Sequence, residues 1–465
     1  MQTPKMKADL LISGATLITM NAGRQVITDG ALAITGDTII AVGKDAQLRS
    51  EIEATRVMDG RQFVVTPGFV DGHIHMTCDP ITGGFARGPR SVDPRVRMSD
   101  WVLPLFKSQT PAEEAISASL AAVNMLKGGT TLFMEAGTVI HFDEVMEALA
   151  RTGLRGRVGR WVEGRAYSDQ QDQAALSRAA ISLLEDEIAR YPDQGADTLL
   201  AGWPVLVGHS TNSDDVWLAA AQLAQSHNLR VSAHMSPSQG DPNWFLGKYG
   251  RRPIEHLYDL GVLSERICIT HLVEIDESEL DCLVETGTNG IHCPFSSFPG
   301  GVGLSQSGLF PEMMARGMTV MLGTDGKPAD ILNAARMMAG VFRDARRNPY
   351  LIDDGAILEL ATLNGARAMG MEGYLGSIEV GKKADFLLHD THTAAWGPVF
   401  DPVLQLALGA SQGRVHSAFI DGVQVVEDGR CTLIDEDKII HDARQAGLEL
   451  VGRTGLQMHT AWPMI

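Results

Sequence analysis

Apolar and polar residues follow two different patterns along this chain. In the first 60 residues, short runs of Val, Ile, Leu and Thr alternate with Gly, Asn and Asp, which is typical of short antiparallel strands joined by tight turns. The same pattern returns in GSIEVGKKADFLLHD and VHSAFIDGVQVVEDGR, where KKAD is predicted to be a solvated turn. Because isolated hairpins are only marginally stable, we expect both chain ends to pair in one small β-sandwich domain, residues 1–66 plus 378–437.

The middle of the chain, residues 67–377, alternates strand and helix patterns. It contains eight apolar runs: FVDGHIH, TTLFMEAG, RVGRWVEG, LLAGWPVLVG, RVSAHMS, ICITHLV, TNGIHCP and TVMLGTD. Amphipathic segments separate them, such as the one that Thr110 can cap, Pro111 can begin and Gly128 can end. Eight strands alternating with helices predict an α/β fold, the (β/α)8 TIM-like barrel. A doubly wound sheet would be expected to show a Gly-rich dinucleotide loop after its first strand, and the sequence has none there.

Composition narrows the range of partners. The 465 residues include 39 Lys and Arg against 57 Asp and Glu, a net charge of -18, which disfavours binding to nucleic acid or anionic lipid. The first 20 residues interrupt their apolar run with polar residues, so they predict neither a secretory signal nor a membrane span. Five scattered cysteines without a C-x-x-C pair favour free thiols. We therefore expect a cytoplasmic protein that acts on a small molecule. The last segment, residues 438–465, is predicted to form a C-terminal helix and a tail that packs on a neighbouring subunit.

The segment TPGFVDGHIHMT places two histidines one residue apart at the end of the first barrel strand. Since side chains alternate along a strand, His73 and His75 project in the same direction. Three further residues, His234, His271 and Asp325, each close a later predicted strand. The spacings of 37 residues from His234 to His271 and 54 from His271 to Asp325 correspond to one and two βα units. Because the active sites of barrels lie at the carboxyl ends of the strands, we expect these residues to converge.

Imidazoles combined with one carboxylate favour zinc, iron, cobalt or manganese over calcium and magnesium. Such an ion can lower the pKa of its water to about 7, so hydrolysis is the predicted reaction. We expect Asp325 to accept the proton of the attacking water, and His271 to orient that water or pass a proton to the leaving group. His209 and His292, at two other strand ends, are predicted to contact substrate, although a structural role would also explain each of them.

Several motifs together resemble one enzyme family. They are TPGFVDGHIH, the strand-end His234, ITHLVEID, HCPFSS, LGTDG and ATLNGARAMGMEGYLGSIEVGKKADFLLHD. The chain is similar to the metal-dependent amidohydrolase superfamily, in the branch of cytosine, guanine and S-adenosylhomocysteine deaminases and triazine hydrolases. The resemblance covers nearly the whole chain and implies a (β/α)8 barrel in a homo-oligomer, commonly a dimer or tetramer.

The resemblance also implies one divalent ion per subunit, zinc, cobalt or iron, held by His73, His75, His234 and Asp325. His271 would then lie near the water as a weak ligand or a non-ligand. The segment LLAGWPVLVGHSTN lacks the strand-four lysine or glutamate of the two-metal branches. One metal is therefore expected, with Glu163 as a conceivable ligand for a second. Otherwise Glu135 and Glu163 are expected to form ion pairs inside the barrel mouth.

One departure from the family pattern bears on the substrate. Deaminases of this branch have H-x-x-E after strand five, and this chain reads His234-Met-Ser-Pro237. Loss of that acid points to hydrolysis of a urea, carbamate, thiocarbamate or amide in a small neutral molecule, similar to herbicide degradation by phenylurea hydrolases and molinate hydrolase. Two alternatives remain: deamination or dechlorination of an N-heterocycle, and a barrel scaffold without catalysis.

Overall fold

The computed structural model describes residues 5–85, 88, 98–208, 210–326, 330–410, 413–457 and 462. The strands within these residues are β1 (Met6–Ile18), β2 (Val26–Thr35), β3 (Thr38–Lys44), β4 (Ile52–Asp59), β5 (Phe63–Pro67), β6 (Phe69–Ile74), β7 (Thr130–Glu135), β8 (Arg155–Val158), β9 (Leu200–Gly202), β10 (Val205–Leu206), β11 (Val231–Met235), β12 (Ile267–His271), β13 (Asn289–His292), β14 (Val320–Leu322), β15 (Phe386–Asp390), β16 (Ser417–Ile420), β17 (Val423–Glu427) and β18 (Arg430–Cys431).

The α-helices of the same residues are α1 (Asp45–Glu51), α2 (Asp79–Thr82), α3 (Leu103–Lys107), α4 (Pro111–Gly128), α5 (Phe142–Ala150), α6 (Gln173–Arg190), α7 (Asp214–Ser226), α8 (Gly240–Tyr249), α9 (Pro253–Leu260), α10 (Glu277–Thr286), α11 (Pro294–Gly300), α12 (Leu304–Ser307), α13 (Phe310–Ala315), α14 (Ile331–Ala345), α15 (Asp354–Ala361), α16 (Leu363–Ala368), α17 (Pro402–Leu408) and α18 (Glu436–Thr454). A π-helical turn covers Met98–Val102, and a 3-10 turn covers Gly195–Asp197.

Helix α4 shows how local sequence sets the elements between the strands. The Thr110 hydroxyl accepts a hydrogen bond from the Glu113 backbone N–H at 3.3 Å, and the Glu113 carboxylate accepts one from the Thr110 N–H at 2.7 Å. This reciprocal pair satisfies two backbone donors that a helix start leaves open. The helix begins at Pro111 and ends at Gly128, so its predicted limits are confirmed.

The middle of the chain forms two parallel sheets among the described residues, in the orders β6-β7-β8-β9 and β10-β11-β12-β13-β14. All residues of β6, β7, β11 and β12 are buried, as expected for parallel strands that are covered on both faces. The alternation of strands and helices agrees with the sequence pattern. Because the strands within each sheet are parallel, their carboxyl ends lie at one edge.

Closure of these strands into a continuous eight-stranded barrel is not confirmed. Strands β9 and β10 belong to different sheets and are separated by Trp203 and Pro204. A proline has no N–H to donate to a strand ladder, although the Pro204 carbonyl accepts from the Ser232 N–H at 3.3 Å. On the other side, a single bridge between Ile74 and Asp325 joins β6 to the end of β14. Within the described residues the strands form two parallel sheets joined at these two places, so closure of the predicted barrel stays a prediction.

The chain ends build the third sheet, whose order in the described residues is β18-β17-β16-β15-β5-β1-β2-β3, with β4 paired to β1. Strand β15, the first of the strands from the C-terminal part of the chain, pairs antiparallel with β5, with Phe386 opposite Pro67. Neighbouring residues of β1 enter different apolar clusters, Ile12 in one and Leu11 in another. Since all these strands are hydrogen-bonded into one sheet, the predicted sandwich of two sheets is not confirmed. The limits of the discontinuous domain stay a prediction.

A buried ion-pair network joins the middle strands to the terminal sheet. Arg155 of β8 is fully buried, and its guanidinium contacts the carboxylates of Asp385, at 3.3 Å, and Asp421. It also donates to the carbonyls of Ala196 and Thr198, both at 3.2 Å. Burial alone would lower the pKa of Arg155, but the two carboxylates raise it above its usual value. Asp385 ends the KKAD segment and is only 5% exposed, so the expectation of a solvated turn was wrong.

Helix α18 packs against the segments that follow β6. Its Ala443, Ala446 and Leu450 share an apolar cluster with Trp101 and Phe106. The C-terminal helix therefore covers its own chain. In the tail that was predicted to contact a neighbouring subunit, residues 458–461 and 463–465 lie outside the described residues. None of the helices that the structure describes has both the length and the apolar character needed to cross a bilayer.

Candidate metal centre

The five residues expected at the strand ends lie together in the structure. His73 belongs to β6 and His75 follows it, His234 belongs to β11, His271 ends β12, and Asp325 follows β14. The ring centroid of His73 is 4.5 Å from that of His234, 5.2 Å from that of His75 and 5.8 Å from that of His271. The shared edge of parallel strands thus gathers side chains that lie far apart in the sequence.

These side chains form overlapping sets of possible metal ligands. In each set, one ligand atom per residue lies within 4.8 Å of the others. Among the described residues the sets are His73, His234 and His271; His73, His75 and Asp325; and His271, Cys293 and Asp325. The histidines and Asp325 are the residues that the sequence predicts, whereas Cys293 is an addition from the structure. Burial raises the pKa of the Cys293 thiol well above its usual value, which disfavours its thiolate form.

The contact between His75 and Asp325 dominates the electrostatics of the site. The His75 Nε2 atom lies 3.1 Å from Asp325 Oδ1, and both side chains are 15% exposed. Burial alone would lower the pKa of His75, but Asp325, Asp79 and Glu135 raise it above its usual value. Burial alone would likewise raise the pKa of Asp325, but His75, His271 and His73 hold it well below its usual value. A nitrogen lone pair and a carboxylate oxygen at this distance need a cation between them, either a proton or a metal ion.

Backbone conformation at the strand ends is unusual. His271 has φ +82°, Asp325 has φ +59°, and Ser236, two residues after His234, has φ +54°. Residues other than glycine seldom adopt this left-handed region, and such residues cluster at active sites when the surrounding structure holds them there. Three strand ends of the cluster therefore turn sharply at or just after a residue of the site.

Two hydroxyl side chains that the sequence analysis did not single out contact the cluster. The Thr270 Oγ1 atom lies 3.1 Å from Nδ1 of His73, on the side opposite to Nε2. Ser296, from the HCPFSS motif, donates a hydrogen bond to Oδ2 of Asp325. Partners of this kind fix the orientation of metal ligands. The sequence signal for them is weak, because buried Ser and Thr side chains are common in strands and turns.

Asp71 of β6 connects the strand that carries His73 to the segment between β14 and Asp325. It is fully buried and accepts hydrogen bonds from the Thr324 hydroxyl at 2.5 Å, the Thr324 N–H at 3.1 Å and the His73 N–H at 3.2 Å. Burial raises its pKa to about 7. Asp71 thus ties the residues next to His73 and Asp325 to one carboxylate. The sequence signal for Asp71 was its position two residues before His73, on the same face of the predicted strand FVDGHI.

The two glutamates at the mouth behave differently from each other. Glu135 forms no ion pair among the described residues; it accepts hydrogen bonds from the hydroxyl and N–H of Thr138 and from the Gly137 N–H. Its predicted ion pair is therefore wrong. Glu163 accepts from the Trp161 indole at 3.0 Å and pairs with Lys107 at 3.7 Å. In the described part of the chain, Glu163 belongs to none of the ligand sets, so its use for a second metal has no support here.

One of the two predicted substrate contacts, His292, lies within the described residues. His292 is fully buried, and its ring stacks on Phe310 with centroids 4.2 Å apart and lies edge-on to Phe298. Burial lowers the pKa of His292 to about 3, which keeps it neutral. This packing favours a structural role, and its contact with substrate stays a prediction. His209 lies outside the described residues.

The donors fit a transition-metal ion. Several imidazoles and one carboxylate match zinc, iron or cobalt rather than the all-oxygen shells of calcium and magnesium. The His75 and Asp325 atoms also require a cation between them, and a metal ion can replace the proton there. Side chains from four strand ends are therefore arranged as one candidate metal centre.

Comparisons with known proteins identify the family of the chain. The profile of the amidohydrolase family matches residues 64–425. The chain is 27% identical over 449 residues to a 5-methylthioadenosine/S-adenosylhomocysteine deaminase from Syntrophobacter fumaroxidans, covering 94% of this chain and 97% of that protein. It is 26% identical over 464 residues to a 5'-deoxyadenosine deaminase from Methanosarcina acetivorans, covering 96% and 99%.

Solved structures share the fold. An adenosine deaminase from Xanthomonas campestris with bound zinc has a TM-score of 0.85 at 23% identity, covering 97% of this chain and 100% of that one. The atrazine chlorohydrolase TrzN from Arthrobacter aurescens TC1, complexed with zinc, has a TM-score of 0.81 at 22% identity, covering 94% and 99%. Since the family profile matches most of its length, the chain belongs to the amidohydrolase family and is a metal-dependent hydrolase of carbon–nitrogen bonds.

Proposed function

We propose that this protein is an aminohydrolase that removes an amino group from an N-heterocycle, with a purine nucleoside as the first substrate class to test. The observation that carries the proposal is the cluster of four histidines and Asp325 at the strand ends. The substrate class is supported by the nucleoside deaminases that match the chain over nearly its whole length. The sequence motifs favoured hydrolysis of a urea, carbamate, thiocarbamate or amide, with deamination as an alternative. The proposal reverses that order.

In the proposal, His73, His75, His234 and Asp325 hold one divalent ion. Zinc, iron or cobalt would supply Lewis acidity, which makes water nucleophilic near neutral pH. Asp325 accepts a proton from that water, because its low pKa keeps it ionised and Ser296 fixes its second oxygen. His271, whose ring nitrogen lies within 4.8 Å of an Asp325 carboxylate oxygen, holds or passes a second proton.

The missing H-x-x-E glutamate requires another proton donor for the ring nitrogen, and Asp79 is the candidate. A Cβ placed on Gly326 would lie 2.5 Å from Oδ2 of Asp79, so this carboxylate lies against the residue that follows Asp325. The backbone turns at Cys78, which has φ +64° and ψ −65° and precedes Asp79 directly. In this turn the Asp79 N–H donates to the Thr77 carbonyl at 2.8 Å. This is a γ-turn of the rare, strained type.

A second candidate function is favoured by one observation, the Pro237 that replaces the usual acid. Attack on the carbonyl of a urea, carbamate, thiocarbamate or amide needs no protonated ring nitrogen. The closer similarity to phenylurea and molinate hydrolases, and with it herbicide degradation, belongs to this candidate. Location in the cytoplasm, assembly into dimers or tetramers, and the absence of nucleic-acid and membrane partners stay predictions from the sequence.

One experiment separates the two candidates. The protein is loaded with zinc, its metal content is measured, and it is incubated with 5'-deoxyadenosine, 5-methylthioadenosine, an aminotriazine, a phenylurea and a thiocarbamate. Ammonia release from a nucleoside or triazine supports the proposal. Release of an amine or thiol from the last two substrates, without ammonia from the others, supports the second candidate instead. Zinc-loaded protein that turns over none of them contradicts both, and Asp325→Asn serves as the inactive control.

A further inference from the structure

A chain of three hydrogen-bonded side chains runs from the end of β7 to His75. Glu135 is fully buried and Thr138 is 3% exposed. The Thr138 Oγ1 atom lies 2.6 Å from Oε1 of Glu135 and 3.3 Å from Nδ1 of His75. One hydroxyl therefore connects a buried carboxylate to the ring nitrogen that faces away from Asp325.

The direction of each hydrogen bond follows from the donors available. The Glu135 carboxylate is an acceptor, and the Thr138 N–H also points to it, at 3.1 and 3.2 Å from its two oxygens. A hydroxyl has one proton, and the short contact to Glu135 uses it. Towards His75 the Thr138 oxygen can then only accept, so Nδ1 of His75 must carry a proton.

We propose that Glu135 and Thr138 are positioning residues that hold the proton of His75 on Nδ1 and leave its Nε2 lone pair for the metal ion. The inference rests on the metal site of the proposed function. His73 has a similar neighbour in Thr270, but no carboxylate is hydrogen-bonded to Thr270 within the described residues, so that hydroxyl keeps both hydrogen-bond directions. In the cluster, His75 is thus a histidine whose tautomer is set by a carboxylate acting through a hydroxyl.

The expected effect can be bounded from other metal proteins. Removal of an outer partner of a metal-bound histidine commonly lowers metal affinity or activity by about 10- to 100-fold. Thr138→Val removes the hydroxyl and keeps the shape of the side chain, and Thr138→Ser keeps the hydroxyl. Thr130→Val is the matched control, because Thr130 at the start of β7 is as buried as Thr138 and its hydroxyl has no hydrogen-bond partner among the described residues.

Glu135→Gln tests the direction of the chain. The backbone N–H groups of Gly137 and Thr138 select the amide oxygen, which turns the amide NH2 towards the Thr138 hydroxyl. That hydroxyl then donates to Nδ1 of His75, and the imidazole proton moves to Nε2. We expect this near-isosteric change to weaken zinc binding at least as much as Thr138→Val does.

The test measures zinc affinity by competition with a chelator, together with the visible spectrum of the cobalt-loaded protein and 15N spectra of labelled histidines. The inference expects about 10- to 100-fold weaker zinc binding and an altered cobalt spectrum for Thr138→Val, recovery in Thr138→Ser, and wild-type behaviour in Thr130→Val. Wild-type affinity in Thr138→Val, or an equal loss in Thr130→Val, would overturn it. If the unchanged protein bound no zinc, the proposed function would fail, and the inference with it.

Discussion

The buried guanidinium of Arg155 gives the sharpest prediction about stability. Arg155→Met keeps most of the side-chain volume and removes the charge between Asp385 and Asp421. The Asp385 side chain is 2% exposed and that of Asp421 is 18% exposed, so water cannot replace the lost partner fully. The Ala196 carbonyl loses this donor as well, whereas the Thr198 carbonyl keeps longer hydrogen bonds from Arg157, at 3.4 and 3.5 Å.

The magnitude follows from those losses. Removal of one partner from a buried ion pair costs about 3–5 kcal/mol, because the remaining charge stays buried and uncompensated. Here two carboxylates are left, so we expect the upper part of that range near pH 7. Burial already raises the pKa of Asp421 above its usual value although Arg155 lowers it, so loss of Arg155 raises this pKa further. The folded variant then binds an extra proton at Asp421, so its deficit against wild type shrinks as the pH falls through that raised pKa.

Urea denaturation at about pH 5 and about pH 8 measures both effects. The control is Arg61→Met, which removes a guanidinium from the exposed pair with Asp59, whose side chains are 80% and 60% exposed; we expect little change there. The reasoning is refuted if Arg155→Met costs less than about 1 kcal/mol, the upper end for an exposed pair, or if its cost does not depend on pH.

Three further predictions concern the site and the segments around it. Asp325→Asn should remove most of the bound zinc and most of the turnover, whereas His271→Ala should keep the zinc and lower kcat. Metal analysis and kcat measurements check both variants. A normal kcat for His271→Ala would exclude the proton role of that residue. Asp79→Asn should lower kcat by about 10²–10⁴-fold with bound zinc unchanged, as expected for loss of a proton donor; an unaltered kcat would exclude that role. Burial raises the pKa of Glu114 from 4.5 to about 7, so its charged form destabilises the fold increasingly as the pH rises through that window. Glu114→Gln should therefore be more stable relative to wild type at about pH 8 than at about pH 5 in urea denaturation, and equal differences would contradict this.

The convergence of the cluster was predictable from the sequence because it depends on two simple periods. Alternation along a strand puts His73 and His75 on one face. The shared edge of parallel strands then brings His234 and Asp325 to them, whatever their separation in the chain. Neither step requires knowledge of packing. This is why short motifs at strand ends located the candidate site before the fold was known.

The supporting residues could not be predicted in this way. Asp71, Thr138 and Ser296 act through contacts across strands or loops, and their pairing depends on register and loop geometry. A Thr three residues after Glu135 resembles any turn residue until its hydroxyl is seen between that carboxylate and His75. The separation of β9 from β10 occurs at Trp203 and Pro204, within LLAGWPVLVG. A run this apolar predicts one continuous strand.

The same distinction decides how much the missing H-x-x-E acid says about the substrate. Metal ligands are fixed by the strands, whereas proton donors reach the cluster from the loops, which vary without disturbing the scaffold. The H-x-x-E motif therefore marks one of the positions from which an acidic side chain can reach the site. In the proposed function Asp79 enters by another, from the start of α2, and its carboxylate lies against Gly326 beside Asp325. Absence of the strand-five glutamate is thus compatible with protonation of a ring nitrogen, and nucleoside deamination stands ahead of carbonyl hydrolysis.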